Sequence, residues 1–302
     1  MKIIKPKKLN IGDTIGIIAP SYQMKTEYLE KPVQTLNNMG FKVKFSNNLF
    51  SSANGYSGSI KERADDFNNM ICNESVKMIL FGGGEVCNEI LPLIDYENII
   101  KNPKIICSYS DGTSILNAVH SMTGLVTFNG ASPRTFDNTT DYNINSFKSR
   151  LMNGSCKYEK SSEFKIIHHG KCNGVLTGGY LVNYAALFAT PYFKLDKDKE
   201  YVLFIEDHEM FSSPAVVSKW FSNLEMYGAF ENAVGLIFGH YSDKEEPVID
   251  DILCRIGQKY SIPVIRCNDF GHGAYNSIYP IGISCSLDTK SNTLKFNESC
   301  VL

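Results

Sequence analysis

Apolar runs and amphipathic stretches alternate along the first 130 residues of the chain. Thr14-Ile15-Gly16-Ile17-Ile18-Ala19-Pro20-Ser21 is a short apolar run closed by proline, the pattern of a buried strand and its exit loop. From Lys25 to Met39, Tyr28, Leu29, Val33 and Leu36 share one helical face, and Gly40 supplies a stop. Phe41 to Phe45 alternates as a second strand, and the polar, glycine-bearing stretch from Asn47 to Gly58 reads as loop. A helix over Ser59–Asn73 carries Ala64, Phe67, Met70 and Ile71 as its stripe. Lys77-Met78-Ile79-Leu80-Phe81 is a strand running into Gly82-Gly83-Gly84, and Val86–Leu93 is helical. A strand from Lys104 then turns sharply at Ser110 into a helix over Ser114–His120, and Leu125–Phe128 adds one more strand. Strand and helix in alternation predict an α/β fold: a parallel sheet with helices on both faces.

The rhythm changes after Arg134. Asp137-Asn138-Thr139-Thr140-Asp141 and Asn153-Gly154-Ser155 are turn chemistry, so the boundary is expected there, between domains of residues 1–150 and 165–302. Beyond it, strands are expected at Phe164–Ile167, Gly174–Leu176, Tyr201–Ile205, Val234–Gly239 and Pro263–Arg266. Helices are expected at Leu181–Ala189, Ala215–Tyr227 and Ile249–Tyr260. Ile281 to Phe296 reads as a hairpin turning at Ser291-Asn292.

Composition narrows the picture. The 302 residues are 43% apolar, enough for a sizeable core, and the net charge of -2 gives no reason to expect a nucleic-acid partner. No stretch approaches the length of apolar chain a membrane span needs, and no leader pattern follows the basic Met1–Lys8, so a soluble, cytoplasmic protein is expected. Nine cysteines, an odd number without a Cys-x-x-Cys pair, fit reduced thiols (Cys107, Cys156, Cys254, Cys267 and Cys285 lie in core-like runs) better than disulfides or a zinc site.

Three polar residues stand at strand ends: Ser110, Glu206 and His272. Ser108-Tyr109-Ser110-Asp111-Gly112 has small residues two before and two after the serine, as a nucleophile elbow needs, with a helix N-terminus beyond it. The competing reading makes Ser110 or Asp111 a simple helix cap. Glu206 emerges from a buried strand, where a carboxylate needs a partner; Asp207 and Glu209 compete for its role. His272 lies between Gly271 and Gly273; His240 is its main rival, ahead of His120, His168, His169 and His208. In the order Ser…Glu…His, serine would attack, histidine would shuttle the proton and the carboxylate would orient the imidazole. Gly82–Gly84 reads either as a tight turn or as an oxyanion donor beside the Asp111 amide; it lacks the phosphate-loop pattern.

These motifs, in this order, resemble the serine peptidase family of bacterial LD-carboxypeptidases and microcin C self-immunity proteins. The stretches that carry the resemblance are Ile17–Ser21, Arg63-Ala64-Asp65-Asp66-Phe67, Gly83-Gly84, Leu91–Tyr96, Asn102–Lys104, Ser108–Thr113 and Thr123–Gly130. In the second half they are Leu176–Gly179, Ala189–Tyr192, Leu203–Asp207, Gly271–Gly273 and Tyr279–Gly282. The resemblance implies a flavodoxin- or amidotransferase-like N-terminal domain carrying the nucleophile and a smaller mixed β/α domain carrying the acid and base, with the site in a groove between them. It implies Ser110 as nucleophile, Glu206 as orienting acid, His272 as base, the amides of Gly84 and Asp111 as oxyanion donors, no metal or other cofactor, and a homodimer. Implied substrates are a peptidoglycan tetrapeptide or an aminoacyl-nucleotide conjugate. The chain departs from the family where Ser108 replaces a usual glycine, Gly112 a bulkier residue, Ala131 a proline and Tyr180 an asparagine; after Glu206 it reads His208-Glu209-Met210-Phe211 instead of an acidic and arginine pattern. A catalytically inactive small-molecule or peptide-binding protein on the same scaffold is the alternative; a cysteine hydrolase using Cys107 is a third reading.

Overall fold

In the computed structural model, which describes residues 2–82, 84–137 and 139–302, two sheets carry the chain. The first is built from β1 (Thr14–Ile18), β2 (Lys42–Phe45), β3 (Val76–Phe81), β4 (Ile105–Ser108) and β5 (Thr127–Asn129), all parallel, in the order β2-β1-β3-β4-β5. Its central strands are unbroken apolar runs because helices cover both faces: α1 (Glu30–Asn38), α2 (Ile60–Cys72), α3 (Tyr96–Lys101) and α4 (Thr113–Thr123). The predicted helix from Lys25 is split: a single tight turn over Thr26–Tyr28 precedes α1. Cys87–Leu93 forms tight 3-10 turns rather than an α-helix; it contains Pro92, whose missing N–H and fixed ring do not suit a helix interior.

Three polar clamps set the loops above this sheet. Ser59 and Glu62 cap α2 reciprocally, Glu62 N–H donating to Ser59 Oγ at 3.2 Å and Ser59 N–H to Glu62 Oε2 at 2.8 Å. One turn on, buried Arg63 donates to the Pro20 carbonyl (2.9 Å) and to Glu89 (2.6 Å), joining the loops after β1 and β3. Ser21 Oγ accepts from the N–H groups of Glu85 and Val86, at 2.8 and 2.9 Å, and so orders the segment that follows the glycine run. Gly83, within that run, lies outside the described residues, as does Asn138 in the polar stretch before α5 (Asp141–Phe147).

The second sheet is mixed. β7 (Lys171–Tyr180), β8 (Tyr201–Glu206), β9 (Ala233–Gly239) and β10 (Val264–Cys267) are parallel, flanked by antiparallel β6 (Lys165–His168) on one edge and by the hairpin β12 (Ser284–Asp288)–β13 (Thr293–Phe296) on the other. α6 (Leu181–Leu187), α7 (Pro214–Met226) and α8 (Pro247–Tyr260) cover it. β11 (Tyr279–Ile281) belongs to the first sheet, pairing antiparallel with β5. The segment carrying His272 is therefore anchored in the second sheet at β10 and in the first at β11. α4 bridges the two as well: buried Asn117 donates to the Gly178 carbonyl at 2.8 Å, and Thr113 Oγ1 accepts from Tyr180 N–H at 2.9 Å. All nine cysteines are free thiols; Cys156 and Cys254 are half-buried rather than core. Among the described residues no helix is long and apolar enough to cross a membrane.

Candidate active site

β4 delivers Ser110. After Tyr109, extended at φ -151°, Ser110 adopts φ 59°, a left-handed conformation uncommon for a residue with a Cβ, and the chain enters a single helical turn over Ser110–Gly112 and then α4. This is the sharp strand-to-helix turn expected of an elbow. The capping alternative fails. Tyr109 and Gly112 hold the two cap positions, and neither is satisfied by a side chain. Asp111 turns away from the helix: its Oδ2 accepts from Cys87 N–H (2.9 Å) and its Oδ1 from Asn183 Nδ2 (3.0 Å). Burial pushes its carboxyl above the ordinary range, opposed by those donors. Gly84 lies against this residue; a Cβ there would stand 2.7 Å from Asp111 Cβ.

His272 meets Ser110 across 162 positions of sequence. Its Nε2 lies 2.9 Å from Ser110 Oγ. Its Nδ1 lies 3.0 Å from Glu206 Oε2, aligned for a hydrogen bond, and 2.9 Å from Oε1, which is not aligned and has no other partner. Glu206, the last residue of β8, is 1% exposed, so its negative charge is set almost entirely against the imidazole. Gly271 makes this approach possible: at φ 86° it crosses the carboxylate so closely that a Cβ would stand 2.7 Å from Glu206 Cδ. The loop from 268 to 278 has no regular structure of its own and is tied by side chains. Asn276 Nδ2 donates to the Gly271 carbonyl (2.8 Å), Thr135 Oγ1 donates to Asn276 Oδ1 (3.1 Å), and Asn143 Nδ2 donates to the Ala274 carbonyl (3.1 Å). Asp269, 1% exposed, accepts from Tyr158 OH at 3.0 Å and from Ser161.

The competing groups are engaged elsewhere. Asp207 accepts from Ser212 Oγ and His208 N–H, both at 2.7 Å, and burial pushes its carboxyl up to about 6. Glu209 accepts from Ser242 Oγ at 2.8 Å. His240 packs on His208, ring centroids 5.0 Å apart, away from Ser110; its Nδ1 is buried without a hydrogen-bond partner among the described residues, and burial lowers its pKa. His120 bonds to the Leu125 carbonyl, and His168 to that of Ile262. Cys107 is fully buried and its thiol is pushed up to about 12, far from the thiolate a cysteine hydrolase needs.

Two adjoining cavities meet at the imidazole. The larger, of about 580 Å³, is lined by Gly84, Ser110, Asp111, Tyr180, Asn183 and His272 among others. The smaller, of about 330 Å³, is lined by His272 together with Asn143, Gly273 and Asn276, and not by Ser110, Gly84 or Asp111. Tyr109, Arg134, Phe211 and His272 line both. The rings of Tyr109, Tyr180 and Phe211 surround the imidazole at 5.3, 5.3 and 4.9 Å. Of these residues, sequence reasoning does not single out Arg134, Asn143, Asn183 or Asn276. Arg134 stands where the polar boundary stretch begins, and the three asparagines carry no local signal, because their partners are distant in sequence.

Comparison with known proteins identifies the family. An LD-carboxypeptidase N-terminal domain profile matches residues 15–130, and the corresponding C-terminal domain profile matches residues 173–287. A probable murein peptide carboxypeptidase of Bacillus subtilis is 30% identical over 96% of this chain and 93% of its own length. The microcin self-immunity protein MccF of Escherichia coli is 28% identical over 96% and 94%. A solved structure of MccF in complex with glutamyl sulfamoyl guanosine superposes with a TM-score of 0.88 at 25% identity, covering 99% of each chain. The two halves, their order and these relatives agree: the chain belongs to the LD-carboxypeptidase family of peptidases.

Proposed function

We propose that the chain is a serine hydrolase that cleaves an amide bond, with Ser110 as nucleophile, His272 as general base and acid, and Glu206 as the group that orients and stabilises the imidazole. The observation that carries the reading is the unbroken chain of contacts from Ser110 Oγ to His272 Nε2 and from His272 Nδ1 to Glu206. Ser110 Oγ attacks the carbonyl carbon as its proton passes to Nε2, and a tetrahedral oxyanion forms. The amides of Gly84 and Asp111, on the wall of the larger cavity, are assigned to that oxyanion. The C–N bond breaks as Nε2 returns the proton to the leaving amine. Water then attacks the acyl-serine, its proton goes to His272 and back to Ser110 Oγ, and a carboxylic acid leaves. In this reading residues 1–150 and 165–302 act as two domains that supply the nucleophile and the acid–base pair respectively.

The substrate follows from the company the chain keeps. One relative is named for murein peptides and another was solved with an aminoacyl sulfamoyl nucleoside. The amide proposed is therefore the L,D bond of a muramyl tetrapeptide or the aminoacyl bond of such a conjugate. Ser110→Ala tests the assignment: a folded protein is expected, with turnover of whichever of the two is cut lower by about 10⁴- to 10⁶-fold. A fluorophosphonate probe is expected to label wild type and not the variant. Unchanged turnover in the variant would overturn the role of Ser110; no labelling and no turnover in wild type would favour a binding protein.

A further inference from the structure

The cleft carries one cation that the chemistry above does not use. Arg134 lines both cavities, and among their described residues it is the only lysine or arginine. The carboxylates among the described residues of those cavities are engaged. Glu85 accepts from Tyr22 OH at 2.9 Å, Asp111 accepts from Cys87 and Asn183, and Asp137 faces Lys31 at 3.9 Å. The Arg134 guanidinium makes no hydrogen bond or ion pair with any described residue and is exposed. It is nonetheless well placed. It stands in the turn Pro133–Phe136, closed by Ser132 N–H donating to Thr135 Oγ1 at 3.1 Å, and Thr135 in turn holds Asn276 of the His272 loop.

We propose that Arg134 binds an anionic group carried by the leaving half of the substrate. This rests on the hydrolase reading and deepens it. In that reaction His272 returns a proton to the leaving nitrogen, so the leaving group lies against the imidazole, on the side away from Gly84 and Asp111. The smaller cavity answers to this: His272 and Arg134 line it, and Gly84 and Asp111 do not. A free α-carboxylate sits one carbon from the leaving nitrogen; a sulfamoyl or phosphoryl group sits directly on it. Both fit a planar fork of N–H donors. The proposal commits the site to a substrate with an anion adjoining the leaving nitrogen, which makes it an exo-acting peptidase or a conjugate hydrolase. A chain that continues as a neutral amide is excluded.

The test uses matched ligands: a muramyl tetrapeptide with a free terminal carboxylate, the same peptide as its carboxamide, and glutamyl sulfamoyl guanosine. Binding is measured by calorimetry in the Ser110→Ala background, and kcat/KM in the wild-type background. The protein without an Arg134 substitution is expected to favour the acid over the amide by about 10- to 100-fold; Arg134→Gln is expected to erase that preference, and Arg134→Lys to restore part of it. If the nucleoside conjugate alone weakens in Arg134→Gln, the anion recognised is the sulfamoyl group. Equal loss on acid and amide, or no loss on any ligand, overturns the proposal. Turnover that survives Ser110→Ala overturns the role of Ser110 instead, and no turnover of any ligand by the wild type defeats the hydrolase reading; in either case the acid–amide preference with and without Arg134→Gln still decides the role of Arg134.

Discussion

The two sides of the cleft hold their functional groups by opposite means. On the serine side the backbone does the positioning. β4 is buried in the first sheet, Ser110 is forced to φ 59°, and α4 follows at once, so residues 105–123 contain nearly everything that aims the hydroxyl. On the imidazole side His272 rides a loop with no regular structure, fixed by Asn143, Asn276 and Thr135 and by burial of Asp269. Three of those four come from the first half of the chain or reach into it. A local device of this kind tolerates change elsewhere in the molecule; a long-range network fails when any one member is lost.

Glu206→Gln strikes the network at its most buried point and carries the largest expected effect. The amide is nearly isosteric, but its NH₂ would face Nδ1 and favour the tautomer that cannot accept the Ser110 proton. A loss of about 10³- to 10⁴-fold in kcat is expected. Melting temperature should not fall, because the variant removes a buried charge that has one badly aligned oxygen. Activity within tenfold of wild type would mean that something other than Glu206 orients the imidazole.

Asn276→Ala is the next step down. It leaves the Gly271 carbonyl and Thr135 Oγ1 without their side-chain partner, at a cost of about 1–3 kcal/mol in stability by urea unfolding. A loop freed by a fraction of an ångström also misplaces His272, so a 10- to 100-fold fall is expected in kcat with little change in KM. A fall in stability with kcat intact would make Asn276 a purely structural residue.

The same contrast explains what could be read from residue order alone. The first sheet was legible because its strands are continuous apolar runs and its helices carry apolar stripes. Ser110 was legible because small residues flank it at fixed spacing. Glu206 and His272 each had rivals at similar positions, and only the fold separates them. Asp207 spends both oxygens on Ser212 and His208, and His240 turns to His208. Gly271, legible as a neighbour of His272, has a role that only the fold shows: its φ and its contact with Glu206 make room for the carboxylate. Arg134 and Asn276 were invisible, since a cation in a polar stretch and an asparagine in a loop carry no periodicity. Distance in sequence, rather than weakness of interaction, hid them.

The serine side offers the smallest and most local test. Ser108 and Gly112 face each other across the elbow, and the geometry ties the size of one to the size of the other. A Cβ on residue 112 would stand 2.5 Å from Ser108 Cβ and 3.2 Å from the Phe81 ring. Gly112 itself has helical angles, φ -57° and ψ -17°, so alanine there meets no backbone strain and would otherwise favour the helix. Gly112→Ala alone is therefore expected to lose about 1–3 kcal/mol by overpacking. Adding Ser108→Gly should recover most of that loss, leaving a coupling energy of about 1 kcal/mol or more in a double-mutant cycle. Both variants should keep the Ser110 turn, and with it fluorophosphonate labelling. Additive costs, or a stable Gly112→Ala single variant, would show that the two positions are independent and that the elbow owes its shape to residues further off.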